Sequence, residues 1–408
     1  AAVWRFDTRT GRLTRLSHAG FANPWGHAFD DFGQSVLADA SGGANFSFSH
    51  VINGSEGVRK PGRGAPILNR GRPTAGCEII ASRHFPEDVQ GTFLVNQSIG
   101  FHGTRWSRLI EPSGDASAWS AEAMEQDLLE SSDVNFRPVA MEIGPDGTLF
   151  IVDWSNPIIG HMQYSVRDPR RDATHGRIWR IRHRTRETLT PPQIPSAETV
   201  RGRLALFDLL RLPERNTRRH ARRRLQRADP GVVLPEFDAW LSMLDPGDPL
   251  RERLRLERLW LARAHGVFDL PLLDEVASSP DARVRAGAVR VLRHWLDEGG
   301  VAAGPALRVL ARCATDPDMR VRLEAVIAAG FVPSPDAAAV VETAAALPAD
   351  AALTIAIEEA IRFLSRLPGE PTDFARTLEL EAMPVDALLA AAPGGVRDRV
   401  VLARADVP

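Results

Sequence analysis

Two periods of hydrophobic patterning divide the chain. Up to about residue 183, apolar and polar positions alternate over short runs broken by Gly-containing turns. The stretch "VWRFDTRTGRL" (3–13) reads as strand, turn and the start of another strand. From about residue 200 the apolar positions recur at i, i+3, i+4 and i+7, as in "RLALFDLLRL", "RERLRLERLWLARAHG" and "ARVRAGAVRVLRHWL". That spacing predicts amphipathic helices.

Each half repeats itself. When Gly33 of "GHAFDDFGQSVLAD" (26–39) is laid on Gly147 of "MEIGPDGTLFIVD" (141–153), Val36-Leu37-Ala38-Asp39 falls over Phe150-Ile151-Val152-Asp153. Each unit is strand, tight turn, strand, ending in Asp, with Gly supplying the positive φ of the turn. "GTFLVNQ" (91–97) and "SRLIEP" (107–112) form another such pair. Repeated units of this kind are the signature of propeller blades, and at ~40–45 residues per blade the first half makes roughly four. Further blades are expected ahead of residue 1, so the chain reads as a fragment.

In the second half, "SPDARVRAGAV" (279–289) matches "DPDMRVRLEAV" (316–326), and "LPERNTRRHARRRL" (212–225) is a weaker copy. Pro, an acidic first turn and an arginine pair recur, the grammar of a HEAT-type solenoid. The sequence thus predicts a partial β-propeller over 1–183, a Pro- and Thr-rich linker over 184–200, and an all-α HEAT-like solenoid over 201–408. The run Arg222–Arg224 is read as a solvated helix face.

Composition adds exclusions. A chain of 408 residues with 44% hydrophobic and 25% charged positions can bury a core, and a net charge of −2 gives no overall pull toward nucleic acid. Lys60 is the single Lys, and the Arg excess reads as a compositional bias of the source genome. Cys77 and Cys313, the two cysteines, make no disulfide framework, CxxC zinc site or CxxCH haem attachment. No apolar run reaches about 18 residues, the length that crosses a bilayer.

The densest chemistry is "DWSNPIIGHMQYSVRDPRRDATHGRIWRI" (153–181), a loop rich in Asp, Arg and His between two strand-like runs. Bidentate Arg–Asp pairs can hold such a loop in one shape. Alternatively it forms a site for an anionic or carbohydrate-like ligand, with His161 or His175 as the base. A metal site from Asp153, His161, Asp172 and His175 is chemically allowed but follows no metal-ligand spacing. "FANPWGHAFDD" (21–31) and "SIGFHGTRWSRL" (98–109), with Asn23 and His102, are loops that could converge with it on one end of the blades.

"NPWGHAFDDFGQ", "EIIASRHFPEDVQGTFLVNQSIGFHGTRWSRL", "SSDVNFRPVAMEIGPDGTLFIVDW" and "NPIIGHMQYSVRDPRRDATHGRIWRI" resemble the propellers of bacterial membrane-bound-dehydrogenase-type proteins. Those are large exported proteins that often carry HEAT repeats and then a haem-binding cytochrome c domain. More remotely, the first half is similar to soluble glucose and sorbosone dehydrogenases, six-bladed propellers that use pyrroloquinoline quinone (PQQ) and calcium. The resemblance implies a fragment of a periplasmic or cell-envelope dehydrogenase. It would oxidise a sugar or other alcohol with PQQ and calcium and pass electrons to a cytochrome c domain outside this chain. His161 and His175 would be catalytic, and Asn23, His102, Arg137 and Arg167 would face the cofactor. "ANPWG" keeps the Asn of that family's quinone loop but has Ala22 for its Arg, and no Lys stands near Phe101–His102. Sugar oxidation needs a base for the hydroxyl proton and cations beside developing negative charge. The alternative is a non-catalytic carbohydrate-binding or protein-interaction scaffold, the solenoid offering its concave face to a partner.

Overall fold

Gly33 and Gly147 both lie at positive φ, +81° and +80°, each at the tip of a two-stranded turn. The computed structural model describes residues 3–8, 11–17, 23–48, 67–69, 71, 74–112, 114, 116–158, 167–332 and 334–364. Around the two glycines, β3 (Pro24–Phe29) pairs with β4 (Ser35–Asp39), and β12 (Pro138–Ile143) with β13 (Leu149–Asp153). The registers are the same: Pro24 faces Asp39 and Pro138 faces Asp153, each followed by an irregularity that moves Gly26 opposite Ala38 and Ala140 opposite Val152. Between them β7 (Thr74–Ile79) pairs with β8 (Phe93–Gln97) through the same irregularity after Thr74. A third copy of the hairpin is thus present.

Each hairpin opens an antiparallel meander. β3 and β4 continue into β5 (Ala44–Phe48) and β6 (Leu68–Asn69). β7 and β8 continue into β9 (Gly103–Ile110) and β10 (Ser120–Ala123), with β11 (Leu129–Glu130) also on β9. β12 and β13 continue into β14 (Arg177–Ile181), and β1 (Val3–Phe6) pairs with β2 (Leu13–Ser17) alone. Among the described residues no sheet closes on itself. The meanders stack through their first strands, and glycines permit the approach. A Cβ on Gly26 would stand 2.7 Å from Cys77 Sγ, and one on Gly76 2.7 Å from Ala140 Cα. Apolar residues fill the junctions: Ala28, Val36 and Ala38 against Ile79, Phe93 and Val95, then Ile80 and Leu94 against Met141, Ile143, Leu149 and Ile151.

Ten helices follow among the described residues: α1 (Val200–Leu209), α2 (Arg215–Leu225), α3 (Pro230–Ser242), α4 (Arg251–Ala264), α5 (Leu270–Val276), α6 (Ala282–Asp297), α7 (Ala303–Ala314), α8 (Met319–Ala329), α9 (Ala337–Ala345) and α10 (Ala351–Leu364). The matching "DARVR" and "DMRVR" segments start α6 and α8. Asp281 and Asp318 are their N-caps, accepting from Arg283 N (2.8 Å) and Arg320 N (2.9 Å). The second arginine of each pair turns back over the first turn. Arg285 Nη1 donates to Ser279 O (2.9 Å) and Arg322 Nη1 to Asp316 O (3.0 Å). Arg203 in α1 and Arg218 in α2 repeat this reach to Ala197 O (2.8 Å) and Leu212 O (2.9 Å). In all four the fourth helical residue holds a carbonyl two positions ahead of the N-cap, so an arginine pins each incoming loop. Helix packing then buries Trp295, Phe207 and Phe237 completely. No described helix is long and apolar enough to cross a membrane.

Helices α2, α6 and α8 and the turn before α10 meet the sheets, mostly through arginines. From α2, Arg215 Nη1 donates to Ile79 O (2.7 Å), Arg218 pairs with Asp31, and Arg219 reaches Glu142 (2.7 Å). From α6, Arg290 donates to Phe32 O (3.0 Å) and to Glu324 (2.9 Å), and Arg283 lies 4.2 Å over the Phe32 ring. Arg5 of β1 bonds His294 and Asp297 on the same helix. From α8, Arg320 pairs with Glu111 (2.9 Å), and ahead of α10 Asp350 accepts from Ser117 N (2.7 Å). One layer of the solenoid is therefore in contact with the sheet domain of its own chain. The run Arg222–Arg224 is correspondingly divided: Arg223 and Arg224 are exposed, whereas Arg222 binds the buried Glu257 through Nε (2.7 Å).

Segment 184–199 has no regular structure; its first part lies on the sheets, and Ile194 and Ala197 pack against the helices. Leu189 N donates to Asp146 O (2.9 Å), and Glu187 O is 2.8 Å from His84 Nδ1.

Candidate functional site

The loop end of the β12–β14 sheet gathers most of the candidate residues. Asp153, at the end of β13, is buried, and its carboxylate closes the meander. Oδ1 accepts from Arg137 N (2.8 Å) and Ser155 N (2.7 Å), and Oδ2 from Arg177 Nε (2.7 Å) and Trp179 Nε1 (2.9 Å). Asp39, at the end of β4, is its counterpart in the β3–β6 sheet and accepts from Asn23 N (2.9 Å). The aligned aspartates are thus caps of the sheet repeat. With four donors on two oxygens, Asp153 has no lone pair left for a metal ion.

Arg137 precedes β12 and is buried to 7% exposure. Its Nε donates to Asn156 O (2.9 Å), Nη1 to Ser98 O (2.6 Å) and His102 Nε2 (2.5 Å), and Nη2 to Pro157 O (3.0 Å). Four of its five N–H groups are thereby engaged, three of them on main-chain carbonyls of two different loops. Burial pulls the guanidinium below its ordinary pKa, against the pull of Asp153 and Asp133. Burial, then the Arg137 charge, lowers the His102 pKa as well. His102 Nε2 faces the Arg137 Nη1 donor, which occupies that ring nitrogen. A free base for a substrate hydroxyl is not offered at that atom.

The described part of the long loop pairs largely with itself. Arg170 holds Asp168 through Nε (3.1 Å) and Nη2 (2.9 Å), and Arg171 Nη1 donates to Ile158 O (3.0 Å). Asp172 accepts from Thr174 N (2.9 Å) and His175 N (3.0 Å) and lies 2.9 Å from His175 Nδ1. The Thr174 main-chain bond leads the set that brings the Asp172 carboxyl down to about 2. His175 and Arg167 are exposed, as is Asn23 at the equivalent end of the β3–β6 sheet. His161 lies outside the described residues. The structure thus brings Arg137 and His102 together, sets His175 beside Asp172, and joins neither pair to Asn23 by a described contact. Among the described residues no three His, Cys, Asp or Glu side chains are grouped to hold a metal ion.

Sequence reasoning did not single out the cleft at the sheet–solenoid junction. It encloses about 410 Å³ and is lined by Asp30, Asp31, Glu111 and Trp119 with Arg83 and Arg215 of its rim. Asp30 Oδ1 accepts from Phe32 N (2.9 Å) and Gln34 N (2.7 Å), while Oδ2 is buried without a partner. Burial raises the Asp30 carboxyl to about 6. Burial also acts upward on Asp31, but Arg218 and Arg215 outweigh it and bring the group to about 2. The signal in the sequence was the doublet Asp30-Asp31, separated from the turn glycine by Phe32.

Residues 50–185 match the model of a domain of unknown function, DUF7133, and residues 270–362 match that of HEAT repeats. No curated protein and no solved structure matches the chain.

Proposed function

We propose that this chain is a non-catalytic interaction scaffold, in which part of a β-propeller is clamped onto a HEAT solenoid and a protein partner is received on the remaining helices and loops. The observation that carries the reading is the state of Arg137. The cation best suited to a cofactor carboxylate is committed to Ser98, Asn156 and Pro157 carbonyls, and His102 is committed to Arg137. HEAT repeats characteristically serve protein recognition. Because α2, α6 and α8 bind the sheets, the partner would meet the outer helices, where Val232 and Met243 are exposed apolar side chains of α3 and its C-terminal end. Cross-linking in the source cells should then recover one reproducible protein contact centred on α3, lost in Val232→Asp/Met243→Asp. Contacts spread evenly over the surface, or unaffected by that change, would refute the scaffold.

The second reading is the quinone-dependent sugar dehydrogenase, favoured by the resemblance of the loop sequences and by the presence of Arg137, His102 and the Arg-rich loop at one sheet end. PQQ would need cations free to meet its carboxylates, and Arg137 as placed does not fit that need. Titration with PQQ and calcium, followed by dye-linked oxidation of sugars, separates the two readings. Saturable quinone binding with turnover supports the dehydrogenase, and its absence supports the scaffold.

A further inference from the structure

Segment 201–230 carries ten arginines against three carboxylates, Asp208, Glu214 and Asp229. Six of the ten are bound within the molecule. Arg215 and Arg218 pair with Asp31, Arg219 with Glu142, Arg222 with Glu257, and Arg211 with Asp248 (2.7 Å). Arg203 is buried and forked on Glu236 through Nε (2.5 Å) and Nη2 (2.7 Å). The other four, Arg201, Arg223, Arg224 and Arg227, are exposed, and their guanidiniums have no partner among the described residues. The carboxylates of the segment are engaged elsewhere. Asp208 accepts from Trp240 Nε1 (3.2 Å), Glu214 pairs with Arg83 (3.0 Å), and Asp229 caps α3 through Gly231 N (2.8 Å).

Two of the four line one recess. Arg224 stands in the last turn of α2, and Arg227 just past its end, where Arg227 N still donates to Arg224 O (3.1 Å). Three residues apart on a helical turn, they share a face. Together with Val232 and Glu198 they line a hollow of about 440 Å³ between α1, the end of α2 and the start of α3. Arg203 lines it too, but its fork is filled by Glu236 and its Nη1 by Ala197 O (2.8 Å). Of the two lining carboxylates Asp229 is the α3 cap, which leaves Glu198 against two guanidiniums. Val232 is 40% exposed and adds an apolar contact to the same recess.

We propose that this recess is the docking point for an acidic segment of a protein partner. Asp or Glu side chains of the segment meet Arg224 and Arg227, and an apolar residue between them covers Val232. Guanidinium groups present planar donors that match carboxylates two bonds at a time. Charge complementarity selects the occupant: the recess holds more uncommitted cations than carboxylates, in a segment whose own acids are already engaged. A bare polyanion would meet the guanidiniums and leave Val232 uncovered, so the pairing of charge with an apolar contact favours a peptide. The proposal rests on the scaffold reading and adds the partner's chemistry to the contact at α3.

The probe is a short fluorescein-labelled peptide of Asp and Glu with one central Leu, titrated with the purified chain and followed by anisotropy. Saturable binding is expected, weakened at least ~10-fold by Arg224→Glu/Arg227→Glu. The melting temperature of that variant should stay within ~2 °C, because neither guanidinium has a partner to lose. Replacing the Leu of the peptide by Ser should weaken binding ~3-fold or more. No saturable binding, or binding that the double substitution leaves unchanged, overturns the proposal. So does heparin binding as tightly as the peptide with no effect of Leu→Ser, which would make the patch a general polyanion site. The cross-linked contact at α3 separates this proposal from the reading beneath it. If that contact survives Arg224→Glu/Arg227→Glu but is lost in Val232→Asp/Met243→Asp, the scaffold stands and the acidic partner falls. If no contact is recovered, the scaffold falls, and the peptide titration still decides the recess.

Discussion

At the residue scale, Arg137 shows how far a side chain's type falls short of its role. The sequence marks it as a cation in a loop-rich region. It does not show that Ser98, Asn156 and Pro157 will aim three carbonyls at it, because those loops meet only in the folded stack. Arg137→Met should leave those carbonyls and His102 without their donor and cost about 4 kcal/mol or more, at ~1–3 kcal/mol per stranded buried group. The midpoint of urea unfolding checks this. Asp30 makes a pH prediction of definite sign. Its folded value of about 6 lies above the ordinary 3.8, so its contribution is full below the ordinary value and is lost as pH rises through about 6. Asp30→Asn keeps an oxygen for Phe32 N and Gln34 N and should flatten the decline in stability between about pH 4 and 7, read from denaturant midpoints across that range. Asp31 has the opposite sense. Its folded value of about 2 makes its contribution full above 3.8 and lost as acid approaches 2.

Elements were more legible than contacts. The Gly33–Gly147 alignment anticipated two hairpins of the same register, because a turn needing positive φ and a period of two leave a visible trace. The third hairpin, β7–β8, was half hidden, since Gly91 does not occupy the turn position of the other two and Gln97 stands where they have Asp. The helical period and the 281/318 caps were equally plain, but the separate roles of the two arginines in each pair were not. One member starts the helix beside the cap. The other reaches back to the loop, a geometry set by the turn it pins. Arg285→Met should cost about 1–2 kcal/mol by freeing Ser279 O and losing the Asp316 pair, measurable as a shift in thermal midpoint. Gly76→Ala tests the stacking of sheets. Its methyl would sit 2.7 Å from Ala140 Cα, main-chain atoms that cannot turn aside. The loss should be about 2–3 kcal/mol or more, within the range for overpacked sites, with exchange accelerated in β12 as its local readout.

At the scale of the whole molecule, the sequence divides into two halves while the structure joins them through arginine. Pattern analysis sees each half because periodicity is local. It cannot see which face of one half meets the other, since Asp31 and Arg218 are far apart in the chain. A double-mutant cycle of Asp31→Asn and Arg218→Met should give a coupling energy of about 1–3 kcal/mol, as for residues in one ion-pair network. It should also bring the single unfolding transition toward two. Additivity of the two changes would show that the pair does not join the halves.

The bonds from α2 and α6 to the β3–β4 turn, and from α8 and the turn before α10 to the β9–β10 connection, have a mechanical consequence. A helical array in which each repeat touches only its neighbours stretches like a spring, pitch by pitch. Here Arg218, Arg290, Arg320 and Asp350 fasten separate turns of that spring to one rigid backing. Under tension the array should resist elongation until these fastenings give way, and an optical-tweezer trace should show an abrupt rip where a free solenoid would yield gradually.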